Sequence, residues 1–308
     1  MSGSIEVTYR QGSPEGDAGE AARIIVVALN DLLARQNRLP VAGAGEAMAP
    51  VLAHLARTDP ERFWVAAEGE RTVGFGSAWT RGGLRYLSGL FVLPGWQGRG
   101  IGRCLLERAM DADRWAGGTK AVISSAANPV SNRLYAQRGM YPLMPVLSLS
   151  GPAPARANTL LGPLQATPLG AGDLADLRAV DGAVTGLDRT PDHAWLLAAG
   201  RSGWVFRNDG TASGYAYLGG DGTGGNDPVG PVATLRAEDQ EAVLGFALAR
   251  AAEHGATTAT VMVPGQNVHA QRLLWRSGFG LEGATGLFGC SRPFGRFDRY
   301  LFAGNALM

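Results

Sequence analysis

Lysine is almost missing: Lys120 stands alone among 28 basic residues, and the 308 residues hold only two cysteines and four histidines. The lysine shortage, with 45 glycines and many alanines, reads as the coding bias of a GC-rich bacterial genome rather than as a phosphate-binding surface. Cys104 and Cys290 lie far apart, which excludes a disulfide framework and fits a reducing compartment. Cys104 is expected to pack on the apolar side of a helix. His54, His193, His254 and His269 form no i, i+4 pair and no Cys/His cluster, so no metal site is expected. No single sign of charge prevails, 28 basic against 27 acidic residues, and nothing in that balance calls for nucleic acid. No apolar run reaches membrane-spanning length, and Met1–Glu6 lacks the basic-then-apolar order of a signal peptide. A cytoplasmic protein without membrane contact is the expectation.

What is present suits ordinary globular domains: 45% hydrophobic residues, 18% charged, and a length that suggests two cores. In the first half the patterning predicts strands over 5–9, 63–67, 73–80, 84–93, 121–125 and 145–149. Helices are predicted over 21–35, 46–57, 102–116 and 131–138. The stretch 150–158, rich in proline, glycine and alanine, reads as a linker.

Beyond it the order recurs. Strands are predicted over 164–167, 204–207, 214–218, 229–235 and 258–263, with helices over 171–183, 238–254 and 268–277. Asn208-Asp209-Gly210 marks a hairpin. The segment Asn128–Gly139 aligns with Asn267–Gly278, with one gap allowed. The fold class is therefore α+β, built from two copies of one unit. The boundaries are 1–150 for the first domain, 151–159 for the linker and 160–308 for the second.

Most of the chemistry lies in Leu90-Phe-Val-Leu-Pro-Gly-Trp-Gln-Gly-Arg-Gly-Ile-Gly-Arg103, a strand, a glycine-rich turn and a helix start. A helix start leaves amides unpaired and carries the positive end of the dipole. Gly98, Gly100 and Gly102 remove side chains that would hold an anion away from those amides, and Arg99 and Arg103 add charge. The physics asks for a diphosphate without choosing the cofactor. A dinucleotide fingerprint fails, because Gly102 is followed by Arg103-Cys104-Leu105 and no acidic residue ends the next strand. The kinase-type phosphate loop fails for lack of Gly-Lys-Ser/Thr.

Gln97-Gly-Arg-Gly-Ile-Gly102 after Phe91-Val92 resembles motif A of the GCN5-related N-acetyltransferase (GNAT) family. Asn128, Ser131, Leu134, Tyr135, Gly139 and Met140 resemble that family's second signature, with serine for its alanine and methionine for its phenylalanine. The likeness covers residues 5 to about 150 well and the second half more faintly. It implies two tandem acyl-CoA N-acyltransferase domains, each a mixed, mostly antiparallel sheet flanked by helices. It further implies acetyl-CoA as cofactor, its diphosphate on the amides of Gly98, Arg99, Gly100, Ile101, Gly102 and Arg103. Gln97 belongs to the same motif. The pantetheine arm would run along Phe91 and Val92 toward Asn128, and an amide near Val92 would face the oxyanion.

By the same resemblance Tyr135 is the general acid that protonates the departing thiolate. The strands 73–80 and 84–93 hold no carboxylate or histidine, so no base is named, and a water chain through Ser88 or Tyr86 stays open. A small-molecule amine is the expected acceptor and a homodimer an allowed assembly. The alternatives are a silent coenzyme-A-binding sensor, or a transferase using another acyl group or a peptide. In the second copy Glu238, Asp239 and Glu241 crowd the equivalent helix start, and Trp275 takes the tyrosine position, so that copy is expected to be degenerate.

Overall fold

A computed structural model describes residues 6–40, 44–110, 117–153, 161–219 and 225–308. The chain divides into two compact units, 1–122 and 123–308.

In the first unit the strands are β1 (Thr8–Gln11), β2 (Phe63–Glu68), β3 (Arg71–Arg81), β4 (Leu84–Val92) and the start of β5 (Thr119–Ser125). The order is β1-β2-β3-β4-β5, antiparallel except for the parallel β4–β5 pair. The helices are α1 (Ala18–Ala34), α2 (Ala44–Thr58) and α3 (Ile101–Met110). α1 presents Ala18, Ala21, Ala22, Ile24 and Ile25 to a core shared with Phe63, Val65, Val73, Phe75 and Leu105. This is the one-sided burial that a helical repeat of small and branched residues produces. α3 is seated by Gly76, where an added Cβ would stand 3.2 Å from the carbonyl oxygen of Leu105. At the far end of β3, Arg81 is buried against Asp59 at 2.8 Å, and Asp59 also accepts the Thr80 amide at 2.8 Å.

The second unit holds α4 (Pro129–Ala136), β6 (Tyr141–Pro152), β7 (Gln165–Pro168), α5 (Leu174–Val184) and α6 (Thr190–Ala198). It continues with β8 (Gly203–Asn208), β9 (Thr211–Leu218), β10 (Asn226–Thr234), α7 (Gln240–Glu253) and β11 (Thr258–Pro264). It ends with α8 (Val268–Arg276), β12 (Gly280–Leu281), β13 (Gly286–Cys290) and β14 (Tyr300–Leu301). Its sheet runs β13-β6-β11-β10-β9-β8-β7, with β10–β11 the parallel pair. The core joins Phe206, Leu218 and Val261 of the sheet to Val243, Leu244, Ala247 and Leu248 of α7. In each unit the sheet is mixed and mostly antiparallel, with helices flanking it. Among the described residues no helix is long and apolar enough to cross a membrane.

The linker expected over 151–159 differs at its start. Gly151 and Pro152 lie in β6, opposite Ala259 and Thr258 of β11, and residues 154–160 fall outside those described. A glycine and a proline end a strand without breaking it when the ladder partner is already in place. The compact units divide within β5, whereas the sequence places the boundary near residue 150. Pairing explains the shift: β6 takes its neighbours, β11 and β13, from the second half of the chain. Of the helix expected over 102–116, the last six residues lie outside those described. The helix α6 and the strands β12 to β14 carry too few residues of clear period to be read from the sequence.

Candidate functional site

β4 is where the turn is prepared. Its pairing with β5 ends at Leu87–Val122, and one residue later the register against β3 shifts, so that Ser88 is an extra residue opposite Ser77. This is a β-bulge, which bends a strand and ends pairing beside it. Ser88 donates to the Ser77 carbonyl at 2.9 Å. Tyr86 is fully buried and stacked on Trp79 at 5.0 Å.

Beyond the bulge the ladder has a definite sense. Leu93 donates its amide to the Val73 carbonyl at 2.9 Å. Alternation along an antiparallel pair then turns the amide of Phe91 toward β3, and the amides of Leu90 and Val92 toward the opposite edge. The Val92 carbonyl faces that same edge and accepts from the Gln97 side-chain amide at 2.9 Å. Gln97 thus ties the turn to the strand end. The Phe91 ring stacks on Phe75 at 5.7 Å.

The turn itself rests on two left-handed glycines, Gly98 at φ 78° and Gly100 at φ 83°. A Cβ at either would meet nothing within 4 Å, so backbone conformation rather than crowding demands glycine there. The first helical bond of α3 runs from the Cys104 amide to the Gly100 carbonyl at 3.1 Å. The amides of Ile101, Gly102 and Arg103 precede it and have no backbone acceptor among the described residues, as expected of a first helical turn. Gly102 has only the Val92 side chain near, at 3.8 Å. Arg103 is exposed on that turn. Arg99 folds back, donating to the Gly95 carbonyl at 3.0 Å with its guanidinium 4.8 Å from the centre of the Trp96 ring. Cys104 is half-exposed rather than packed in the core.

Phe91, Val92 and Gln97 to Arg103 thus form one continuous piece of the first unit, while Asn128 and Tyr135 belong to the second. Asn128 caps α4: its side-chain oxygen accepts the Ser131 amide at 3.2 Å, and Pro129 sits at the first helical position. Tyr135 is buried on α4, and desolvation pushes its hydroxyl well above the ordinary tyrosine range. α4 ends on Gly139 at φ 80°, with the Met140 amide returning to the Tyr135 carbonyl at 3.1 Å.

The same construction recurs in α8. Asn267 caps it by accepting the Ala270 amide at 3.0 Å, Gly278 has φ 81°, and the Phe279 amide returns to the Leu274 carbonyl at 3.0 Å. The two segments therefore correspond residue for residue, with no gap. The residue in the place of Tyr135 is Leu274, fully buried, and not Trp275, which is 46% exposed. The gap had displaced the pairing by one position.

The second copy repeats β4 as β10. Its pairing with β11 ends at Val229–Val261, its register against β9 shifts between Val229 and Val232, and Leu235 donates to the Ser213 carbonyl at 2.7 Å. The turn that follows, 236–239, is shorter than the 94–100 of the first copy. Glu241 is paired with Arg276 at 2.7 Å and Arg272 at 3.5 Å. Gln240 is buried and donates to the Thr234 hydroxyl at 2.8 Å and the Arg299 carbonyl at 2.9 Å, while Asn267 donates to Gln240 and to the Tyr300 carbonyl.

Residues 27–140 match the model of the "Acetyltransferase (GNAT) family". Among solved structures the chain is similar to a putative acetyltransferase from Pyrococcus horikoshii, at 15% identity over 98% of this chain and 96% of that one, TM-score 0.75. It is also similar to a GCN5-related N-acetyltransferase from Sphaerobacter thermophilus, at 19% identity over 95% and 98% of the two chains, TM-score 0.62. A third likeness, at 17% identity over 94% and 99%, TM-score 0.59, is to a tandem GNAT protein from the clavulanic acid biosynthesis pathway. No curated protein matches the chain. At these identities the solved structures speak for the fold, a tandem GNAT fold along nearly the whole chain.

Proposed function

From a chain of tandem GNAT fold whose residues 27–140 match the model of the acetyltransferase (GNAT) family, we propose an N-acetyltransferase that moves the acetyl group of acetyl-CoA directly to a small-molecule amine. The observation that carries this reading is the turn of the first copy. Three consecutive amides at the start of α3 have no backbone acceptor among the described residues, two left-handed glycines leave open space beside them, and Arg103 is exposed there. Such a turn suits the diphosphate of coenzyme A. The outward amides of Leu90 and Val92 suit the amide groups of an extended pantetheine arm, which would add to the edge of β4 as a strand does.

Bound there, acetyl-CoA supplies an activated thioester. The amide of Val92 is the donor on this chain for the oxygen that gains charge as the amine attacks. Asn128 spends its side-chain oxygen on the helix cap, which leaves its NH2 group to donate to the pantetheine. Tyr135 holds its proton across the working pH range, since burial raises its pKa. Full transfer to a thiolate of pKa about 8.5 is then uphill, so its contribution is a hydrogen bond that shares the proton with the departing sulfur.

Release of free thiol from acetyl-CoA over a panel of small amines tests the reading. Amine-dependent release, abolished in Gly100→Asp, is the expected result. Coenzyme A binding without release for any amine would favour the silent sensor.

A further inference from the structure

The second copy keeps the splayed strand pair that in the first copy faces the acyl carrier, and the chain itself lies in it. Beyond Val229–Val261, where β10 and β11 part, β14 pairs antiparallel with β10 at Val232–Leu301 and Ala233–Tyr300. On its other side Phe302 donates its amide to the Met262 carbonyl of β11 at 3.1 Å. Counting back from Leu235, which corresponds to Leu93, Val232 corresponds to Leu90 of the first copy, whose amide faces away from β3.

The fit is close. At Gly230, one residue beyond the last β10–β11 pair, an added Cβ would collide with the carbonyl oxygen of Phe302. The equivalent residue in the first copy, Ser88, is half-exposed.

The strand is held by buried charge. Arg189, fully buried, donates to the Tyr300 hydroxyl and to the Leu307 carbonyl at 3.1 Å and the Met308 carbonyl at 3.3 Å. Tyr300 itself donates to the Met308 carbonyl at 3.1 Å. Nearby lies a closed network: Tyr215 donates to Asp181 at 2.5 Å, Asp181 meets His193 at 2.8 Å, and His193 meets Tyr217 at 3.1 Å. All four side chains are fully buried. Nothing in acyl transfer by the first copy uses these groups.

We infer that residues 300–308 are an internal strap, anchored by Arg189, that occupies the second cleft as a strand and closes it to any acyl carrier. The inference rests on the reading that an acyl carrier runs along β4 in the first copy. Its consequence is one coenzyme A per chain.

Calorimetric titration of the full chain with coenzyme A, paired with amide hydrogen exchange, tests it. The expected result is one equivalent, lost in Gly100→Asp, with slow exchange at Val232, Leu301 and Phe302 both with and without ligand. Arg189→Met should speed exchange at Leu301 and Phe302 at least tenfold while the single equivalent persists. Gly230→Ser, which displaces the Phe302 carbonyl without touching the anchor, takes its place if that variant does not fold. A second equivalent, binding that survives Gly100→Asp, or exchange at Leu301 and Phe302 that is fast in the native chain or accelerated by coenzyme A overturns the strap. No binding in the native chain, with those amides still protected, overturns the first-copy reading alone.

Discussion

The side-chain amide of Gln97 donates to the carbonyl of Val92, so the residue that precedes the two left-handed glycines is bonded to the end of the strand before the turn. Replacing Gln97 by Glu sets a carboxylate against that carbonyl and removes the donor. Losing a hydrogen bond of this kind costs about 1–3 kcal/mol. Coenzyme A affinity should fall by about tenfold, and a titration that gives native affinity removes the tie from the site.

Gly100 sits at φ 83° in open space, so a substitution there is strained without being crowded. Gly100→Ala should lower thermal stability by about 1–2 kcal/mol, the cost of a left-handed non-glycine residue. Gly102→Asp, on a right-handed position, should leave stability nearly native and abolish coenzyme A binding by placing an anion on the free amides. Differential scanning calorimetry and ligand titration separate the two effects.

Tyr135→Phe keeps the ring in the core and removes only the hydroxyl. Turnover should fall by about 10²-fold, the lower end of what a positioned proton donor supplies, with coenzyme A affinity within twofold. Native turnover would strip Tyr135 of its role. Because burial holds its proton, the alkaline limb of the native rate profile should show no loss assignable to Tyr135 below pH 10.

Tyr215, Tyr217 and Tyr300 are raised by burial in the same direction. Unfolding returns each to an ordinary pKa near 10, so above pH 10 the unfolded chain releases protons that the folded chain retains. Stability therefore stays flat from this source below pH 10 and falls as pH rises beyond it, by about 1.4 kcal/mol per unit for each tyrosine. Thermal melts between pH 8 and 11.5 check this, and a midpoint unchanged across that range contradicts the burial of these hydroxyls.

Arg81 and Asp59 are both buried, and the Thr80 amide also donates to Asp59. Asp59→Asn takes the carboxylate from a buried, hydrogen-bonded ion pair, which costs up to about 3–5 kcal/mol. The melting temperature should drop while coenzyme A affinity per folded molecule is unchanged.

Local signals carried well from sequence to structure. The glycine turn and the Asn208-Asp209-Gly210 hairpin are short-range features, set by residues a few positions apart, whereas the cap that Asn128 supplies to α4 came only with the structure. The repeat was legible too, though Leu274 shows the limit: buried tyrosine and buried leucine share a position, and the frame is fixed by the Asn267 cap, the left-handed Gly278 and the returning amide of Phe279. What stayed hidden depends on distance along the chain. Nothing near Tyr300 announces that it pairs with Ala233, and nothing near His193 that it meets Asp181 and Tyr217. The bulge at Ser88 needed both partners of the ladder to be seen.

β6 closes the motif that opens with Asn128, yet its hydrogen bonds go to β11 on one side and to β12 and β13 on the other. The end of the first sequence copy is thus paired with strands that lie in the second. Any recombination event that cut the gene at its visible seam near residue 150 would leave a strand with both edges bare, so descendants must gain or lose the two halves together.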